Sequence, residues 1–323
     1  MKEDMLTRRD AIAKALAAGA LLEGRTILAK GIHPFTPVNF AVPPNACDCH
    51  THVIGDARRF PFFPGRVYTP VMALPQEMAA LHRALHIKRV VIVTPSVYGT
   101  DNSATLYGIK ARGLNARGIA VIDDKTSEKD LDEMAGSGIR GIRLNLATGQ
   151  QPDLTVARQR ISVAMSRIKT RNWHLQIYTN VAVISGIKDL VFASPVPVVF
   201  DHFGGTQTAL GPEQPGFADL IDLVRAGNAY VKLSGAYRAS TQAPDFLDVA
   251  PFAKGLIVAN PDRVLWGTDW PHPNTTPSAH PTDGTPRLVI DDGRVFNQFP
   301  VWAPDPRIRQ KILVDNPARL YGF

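Results

Sequence analysis

Asn45-Ala46-Cys47-Asp48-Cys49-His50-Thr51-His52-Val53 is the stretch on which the reading of this 323-residue chain turns. In an extended strand alternate residues share a face, so His50 and His52 project into one space. Alone, an H-x-H says little, because two histidines can simply close a half-buried strand. The far end of the chain changes the balance. Val264–Pro273 reads VLWGTDWPHP, an apolar run ending in Asp269, and the run Val196–Phe200 ends in Asp201-His202-Phe203-Gly204-Gly205. Three strand-like runs thus end in groups able to move protons or bind metal. A (β/α)8 barrel of the α/β class, the TIM barrel, gathers the ends of distant parallel strands at one mouth.

Outward from these runs, strand-like and helix-like patterns alternate, as a parallel α/β fold requires. Further strands are expected at Arg89–Thr94, Gly118–Ile122, Ile139–Leu146, His174–Tyr178 and Tyr230–Leu233, with the eighth at Val264–Gly267. Helices are expected at Pro75–His86, up to Gly113, at Glu128–Ala135 behind the N-cap candidate Ser127, and at Leu154–Arg171. Four more fall near Ile184–Phe192, Phe217–Arg225, Phe246–Ala259 and Arg307–Leu313. The insertion Ile54–Leu74, rich in Phe, Pro and Arg, is expected over the mouth. Cys47 and Cys49 sit on alternate strand positions, where disulfide geometry is seldom met, and read as small buried fillers.

Residues 45–323 suit one barrel domain of roughly 250 residues. A hydrophobic fraction of 45% and a charged fraction of 20% are those of an ordinary globular protein. No apolar run reaches the roughly 20 residues of a membrane span. The net charge of +7 comes without a basic cluster interleaved with aromatics, so nucleic acid is not an expected partner. It weakly favours a small anionic ligand. Nothing in the sequence sets the oligomeric state. Residues 1–44 stand apart. Thr7-Arg8-Arg9-Asp10 before the alanine-rich run Ala11–Leu22 resembles a twin-arginine export signal, with Ile27-Leu28-Ala29 as a cleavage site and the periplasm as destination. An ordinary N-terminal helix is the alternative. Pro34–Pro44, with four prolines, reads as a linker or a strap over the barrel's bottom.

Barrels of this kind do their chemistry at the C-terminal ends of the strands. There the first strand delivers His50 and His52, the fourth Arg143 and Asn145, and the fifth Tyr178. The sixth delivers His202, the seventh Ser234 with Arg238 beyond it, and the eighth Asp269. Arg140 and Arg143, three apart, point to opposite faces, and Arg143 is the one expected in the mouth. Asn102 and His272 complete the candidate substrate-binding set.

The order H-x-H, Asp-His-x-Gly and Trp-Gly-Thr-Asp-Trp-Pro-His-Pro resembles the amidohydrolase superfamily. More narrowly, it is similar to the branch with 2-pyrone-4,6-dicarboxylate lactonases, sugar-acid lactonases, sulfomuconolactone hydrolases and galactarolactone isomerase. The resemblance runs from Asn45 to Phe323 and includes the ending Asp315-Asn316-Pro317-Ala318-Arg319-Leu320-Tyr321. It implies a hydrolase that opens a lactone ring. Many metal enzymes of the superfamily carry a carboxylated lysine on strand four and a histidine on strand five. Here strand four has no lysine, and Tyr178 stands at the other place. His50, His52 and Asp269 remain as ligands, a thin set for a divalent ion. The pyrone dicarboxylate lactonases share this pattern and work without metal, so no cofactor is expected to be required, weakly bound zinc being the alternative.

Lactone hydrolysis needs a base for water and donors where the carbonyl becomes an oxyanion. Asp269 is the expected base. His50, His52 and His202 are the expected donors, at least one holding a proton that Asp269 helps keep. Arg143 and Arg238, with Tyr178, would hold a substrate carboxylate. The pyrone lactonases place a second arginine shortly after the one matched by Arg143. This chain has Ala147-Thr148-Gly149-Gln150 there, so a monocarboxylated or neutral lactone is expected. The rivals are lactone isomerisation, zinc-dependent decarboxylation, and a non-catalytic sugar-acid binding protein.

Overall fold

The computed structural model describes residues 36–148 and 153–323. The expected export signal and Pro34 lie outside these residues, as do Gly149 and Gln150. Eight parallel strands form one sheet in chain order: β1 (Cys47–Thr51), β2 (Arg89–Val93), β3 (Ala116–Ala120), β4 (Ile139–Asn145), β5 (His174–Tyr178), β6 (Val198–Phe200), β7 (Ala229–Ser234) and β8 (Val264–Gly267). The ring closes just beyond β8, where Asp269 N–H donates to His50 O and His52 N–H to Trp270 O, both at 2.8 Å.

Helices α1 (Pro75–Ala84), α2 (Ser103–Arg112), α3 (Glu128–Gly136), α4 (Leu154–Ile168), α5 (Ala182–Phe192), α6 (Phe217–Arg225) and α7 (Ala250–Ala259) separate the strands. Ser127 caps α3 as expected, its Oγ accepting the Asp130 N–H at 3.1 Å while Asp130 accepts the Ser127 N–H at 2.8 Å. The third strand begins two residues before its expected start, at Ala116, and α4 ends at Ile168 rather than Arg171. After β8 the last helical stretch is broken, running from Pro306 through a wider turn at Lys311–Asp315 to Tyr321. No helix among the described residues is long and apolar enough to cross a membrane.

Alternation along the strands builds two apolar layers. Val90, Ile92, Leu175, Ile177, Val198 and Phe200 face the helices, while Cys47, Cys49, Val91, Val93, Val199 and Leu265 fill the lower barrel with Tyr321. Both cysteines are free and buried. Strict alternation from Cys47 and Cys49 would turn His50 and His52 outward. The β1–β2 register shifts between Asp48 and Thr51, and this irregularity brings the even-numbered histidines inside with the odd-numbered cysteines. Asp48 stays outside and staples the seam. It accepts the N–H of His50 at 3.1 Å and of Thr268 at 3.0 Å, and its other oxygen faces Thr268 Oγ1 and His82.

The insertion after β1 lies over the mouth as expected: Tyr68 is buried at its edge, and Thr69–Pro70 pairs with Gly284–Thr285 beyond β8. From Thr36 on, the proline-rich segment runs beside β8 rather than across the bottom. Thr36 bonds Asp291, Asn39 bonds Asn297, and Phe40 packs on Phe296 at 4.9 Å, so the strap lies along the flank beside β8. The C-terminus closes the bottom instead. Arg117 donates to the carbonyls of Tyr321 and Gly322, and Phe323 lies against the guanidinium groups of Arg89 and Arg117.

Candidate active site

Two of the expected catalytic residues have left-handed backbones, His202 at φ +50° and Asp269 at φ +67°. Neither is glycine, and such strain persists only where surrounding bonds hold it. At Asp269 those bonds are plain. Oδ2 accepts from Arg238 Nε at 2.5 Å and from the Tyr237 hydroxyl at 2.6 Å. Oδ1 faces three imidazoles, with Nε2 of His52 at 3.3 Å, His50 at 3.6 Å and His202 at 4.0 Å. Burial pushes the Asp269 carboxyl up, but Arg238, His202 and the other histidines hold it well below the carboxylate range. Burial lowers His50 well below its ordinary value against the pull of Asp201, and lowers His202 to about 4. His52 donates from Nδ1 to the Val93 carbonyl at 2.8 Å, because a carbonyl only accepts.

Beneath this group lies a polar layer that the strand-end reading missed. Asp201 Oδ2 accepts from Arg143 Nε at 3.1 Å and from Gln176 Nε2 at 3.0 Å. Asp201 Oδ1 lies 3.2 Å from His50 Nδ1 and 3.4 Å from Lys232 Nζ. Burial opposes charge on Asp201, yet His50, Lys232 and Arg143 keep its carboxyl well below the usual range. One signal was available. Lys232 and Gln176 interrupt strands that should be continuously apolar if buried on both faces.

The cleft above is lined by His52, Tyr68, Arg143, Tyr178, His202 and Arg238, with Asn145 in its wall. Asn145 binds its own loop, accepting the N–H groups of Ala147 and Thr148. The Arg143 guanidinium sits 5.3 Å over the Tyr178 ring. Two candidates are not in the cleft. Asn102 is buried between strand ends, accepting from Thr94 Oγ1 and the Val121 N–H and donating to the carbonyls of Thr100 and Val121. His272 is buried behind Asp269, with Nε2 2.9 Å from Asp292 Oδ2 and its ring edge-on to Tyr237.

Among the described residues, the donors that come close enough for a metal are His50, His202 and Asp269, with ligand atoms within 4.8 Å of one another, so His202 takes the place expected of His52. His50 Nε2 and Asp269 Oδ1 are buried without hydrogen-bond partners, and in that respect the group fits a divalent ion.

A barrel with three histidines and an aspartate gathered at the C-terminal mouth of its strands defines an enzyme of the (β/α)8 class. The amidohydrolase family model matches residues 47–323, and the chain belongs to that family. A Comamonas testosteroni 2-pyrone-4,6-dicarboxylate hydrolase is 36% identical over 291 residues, covering 87% of this chain and 92% of its own. A 4-sulfomuconolactone hydrolase of Rhizobium radiobacter is 34% identical over 286 residues, covering 88% and 93%. A Pseudomonas putida structure, described as a candidate 2-pyrone-4,6-dicarboxylic acid hydrolase, superposes with TM-score 0.71 at 30% identity, covering 87% of this chain and 98% of its own.

Proposed function

We infer that this chain is a hydrolase that opens the lactone ring of a small carboxylated organic acid. The observation that carries the reading is the convergence of three imidazole Nε2 atoms on Asp269 Oδ1, at 3.3 to 4.0 Å, under a cleft walled by two arginines. Asp269 Oδ1 takes a proton from water, whose oxygen attacks the lactone carbonyl, while Nε2–H groups of the histidines receive the oxyanion; as the oxyanion collapses, the ring C–O bond breaks and the departing ring oxygen takes the proton from Asp269. Its depressed pKa keeps Asp269 ionised and makes it a modest base, so positioning carries much of the rate. Arg143 and Arg238 hold the substrate carboxylate, with Tyr178 beside them. Ala147 and Thr148 at the start of the next loop bring no second cation, which favours a monocarboxylated lactone over a dicarboxylate.

A metal is not required in this proposal. If zinc binds, His50, His202 and Asp269 hold it, and it would polarise the carbonyl. A lactone panel read by pH indicator, with and without chelator, tests both points. Turnover that survives chelation and vanishes in Asp269→Asn is expected. Binding without turnover would leave only a sugar-acid binding protein, and loss on chelation would favour the zinc chemistry.

We also propose export, supported by Thr7-Arg8-Arg9 before an alanine-rich run. A reporter fused to residues 1–44 should reach the periplasm, and replacing both arginines by lysine should block it. Cytoplasmic retention of the intact fusion would reduce the segment to an N-terminal arm.

A further inference from the structure

Lys232 stands in the middle of β7, its side chain wholly buried inside the barrel. An ammonium has three hydrogens to give and no lone pair. Its Nζ donates to Gln176 Oε1 at 2.6 Å and lies within hydrogen-bonding geometry of His50 Nδ1 at 3.3 Å. Asp201 Oδ1 is as near to that ring nitrogen, at 3.2 Å, yet this oxygen has no aligned hydrogen-bond partner. The two neighbours make opposite demands. A carboxylate asks for a hydrogen on Nδ1, and an ammonium asks for a lone pair there. Alignment favours the ammonium. With Nδ1 accepting, a neutral ring carries its one hydrogen on Nε2, which faces Asp269 Oδ1 at 3.6 Å.

We propose that Lys232 is a positioning residue that fixes His50 as the Nε2–H tautomer, turning an N–H toward the carbonyl oxygen of the substrate. A neutral ring then serves as an oxyanion donor without carrying charge. Asp201 and Gln176 complete the device. Gln176 accepts from Lys232 and donates to Asp201, so its amide is oriented from both ends.

The tautomer can be read without substrate, whereas the kinetic arm rests on the lactone-hydrolase reading. Protein with 15N-labelled histidine, kept in chelator, is examined by long-range 1H–15N correlation, with His50→Gln to assign the ring. Wild type should show the hydrogen on His50 Nε2. In Lys232→Met it should move to Nδ1, facing Asp201. On the best lactone kcat should fall about 100-fold, as for loss of one oxyanion donor, with KM changed less than about threefold. Wild type decides even if the variant fails to fold, since a hydrogen on Nδ1 overturns the proposal. So does a folded Lys232→Met that keeps the wild-type tautomer, whatever its kcat. If wild type turns over no lactone, the hydrolase reading fails and the tautomer result stands by itself.

Discussion

At the scale of single residues, Asp269 carries the sharpest expectation. Asp269→Asn keeps the shape and the bonds to Oδ2's neighbours but removes the proposed base, so kcat should drop roughly 10²- to 10⁴-fold with the fold intact. A variant retaining most of its turnover would end the assignment. The arginines need a finer test than their sequence positions suggested, because each is already paired with a carboxylate, Arg143 with Asp201 and Arg238 with Asp269. Arg143→Met should cost about 10- to 150-fold in kcat/KM on a carboxylated lactone and much less on its neutral analogue. Arg238→Met should hurt both substrates, since Asp269 loses the partner that fixes it. Equal losses on both compounds for Arg143→Met would mean that it serves Asp201 and not the substrate. His50, His52, His202 and Asp269 were legible because polar groups ending apolar strands stand out. Asn102 and His272 misled because their partners, Val121 and Asp292, lie about 20 residues away and nothing in the local pattern announces them.

At the scale of elements, the eight strands were legible from apolar runs, and their ends moved by only a few residues. The irregularity in β1 was not. Alternation placed the cysteines together and the histidines together, but it could not put both pairs on one face, and only the pairing with β2 shows how that is done. Asp48 is what holds this geometry, through the His50 and Thr268 N–H groups. Asp48→Ala would strand two buried N–H donors, at about 1–3 kcal/mol each, and free the strand ends that carry His50 and Asp269. Urea unfolding should show a loss of about 3 kcal/mol or more, accompanied by reduced kcat. A variant with full stability would show that backbone pairing alone closes the ring.

The whole molecule buries several neutral imidazoles, and that sets its response to acid. Burial and Lys232 hold His174 down to about 3, burial holds His202 at about 4, and His50 lies well below its ordinary value. An unfolded chain protonates all three near pH 6.5. Between about pH 6.5 and 4 the unfolded state therefore binds more protons than the native one, so stability falls as pH falls through that window. The depressed carboxylates of Asp201 and Asp269 add their share only below their ordinary value of 3.8. Calorimetry from pH 7 to 4.5 should find Tm lower by more than about 5 °C, and a flat profile would refute the neutral interior. Closure has another consequence, one of timing. His50 lies on the first strand of the ring and Asp269 just past the last, so a ribosome delivers them some 10–40 s apart at about 5–20 residues per second. No half-made barrel holds both, and a nascent chain brings the proposed catalytic pair together only when its final strand docks against its first.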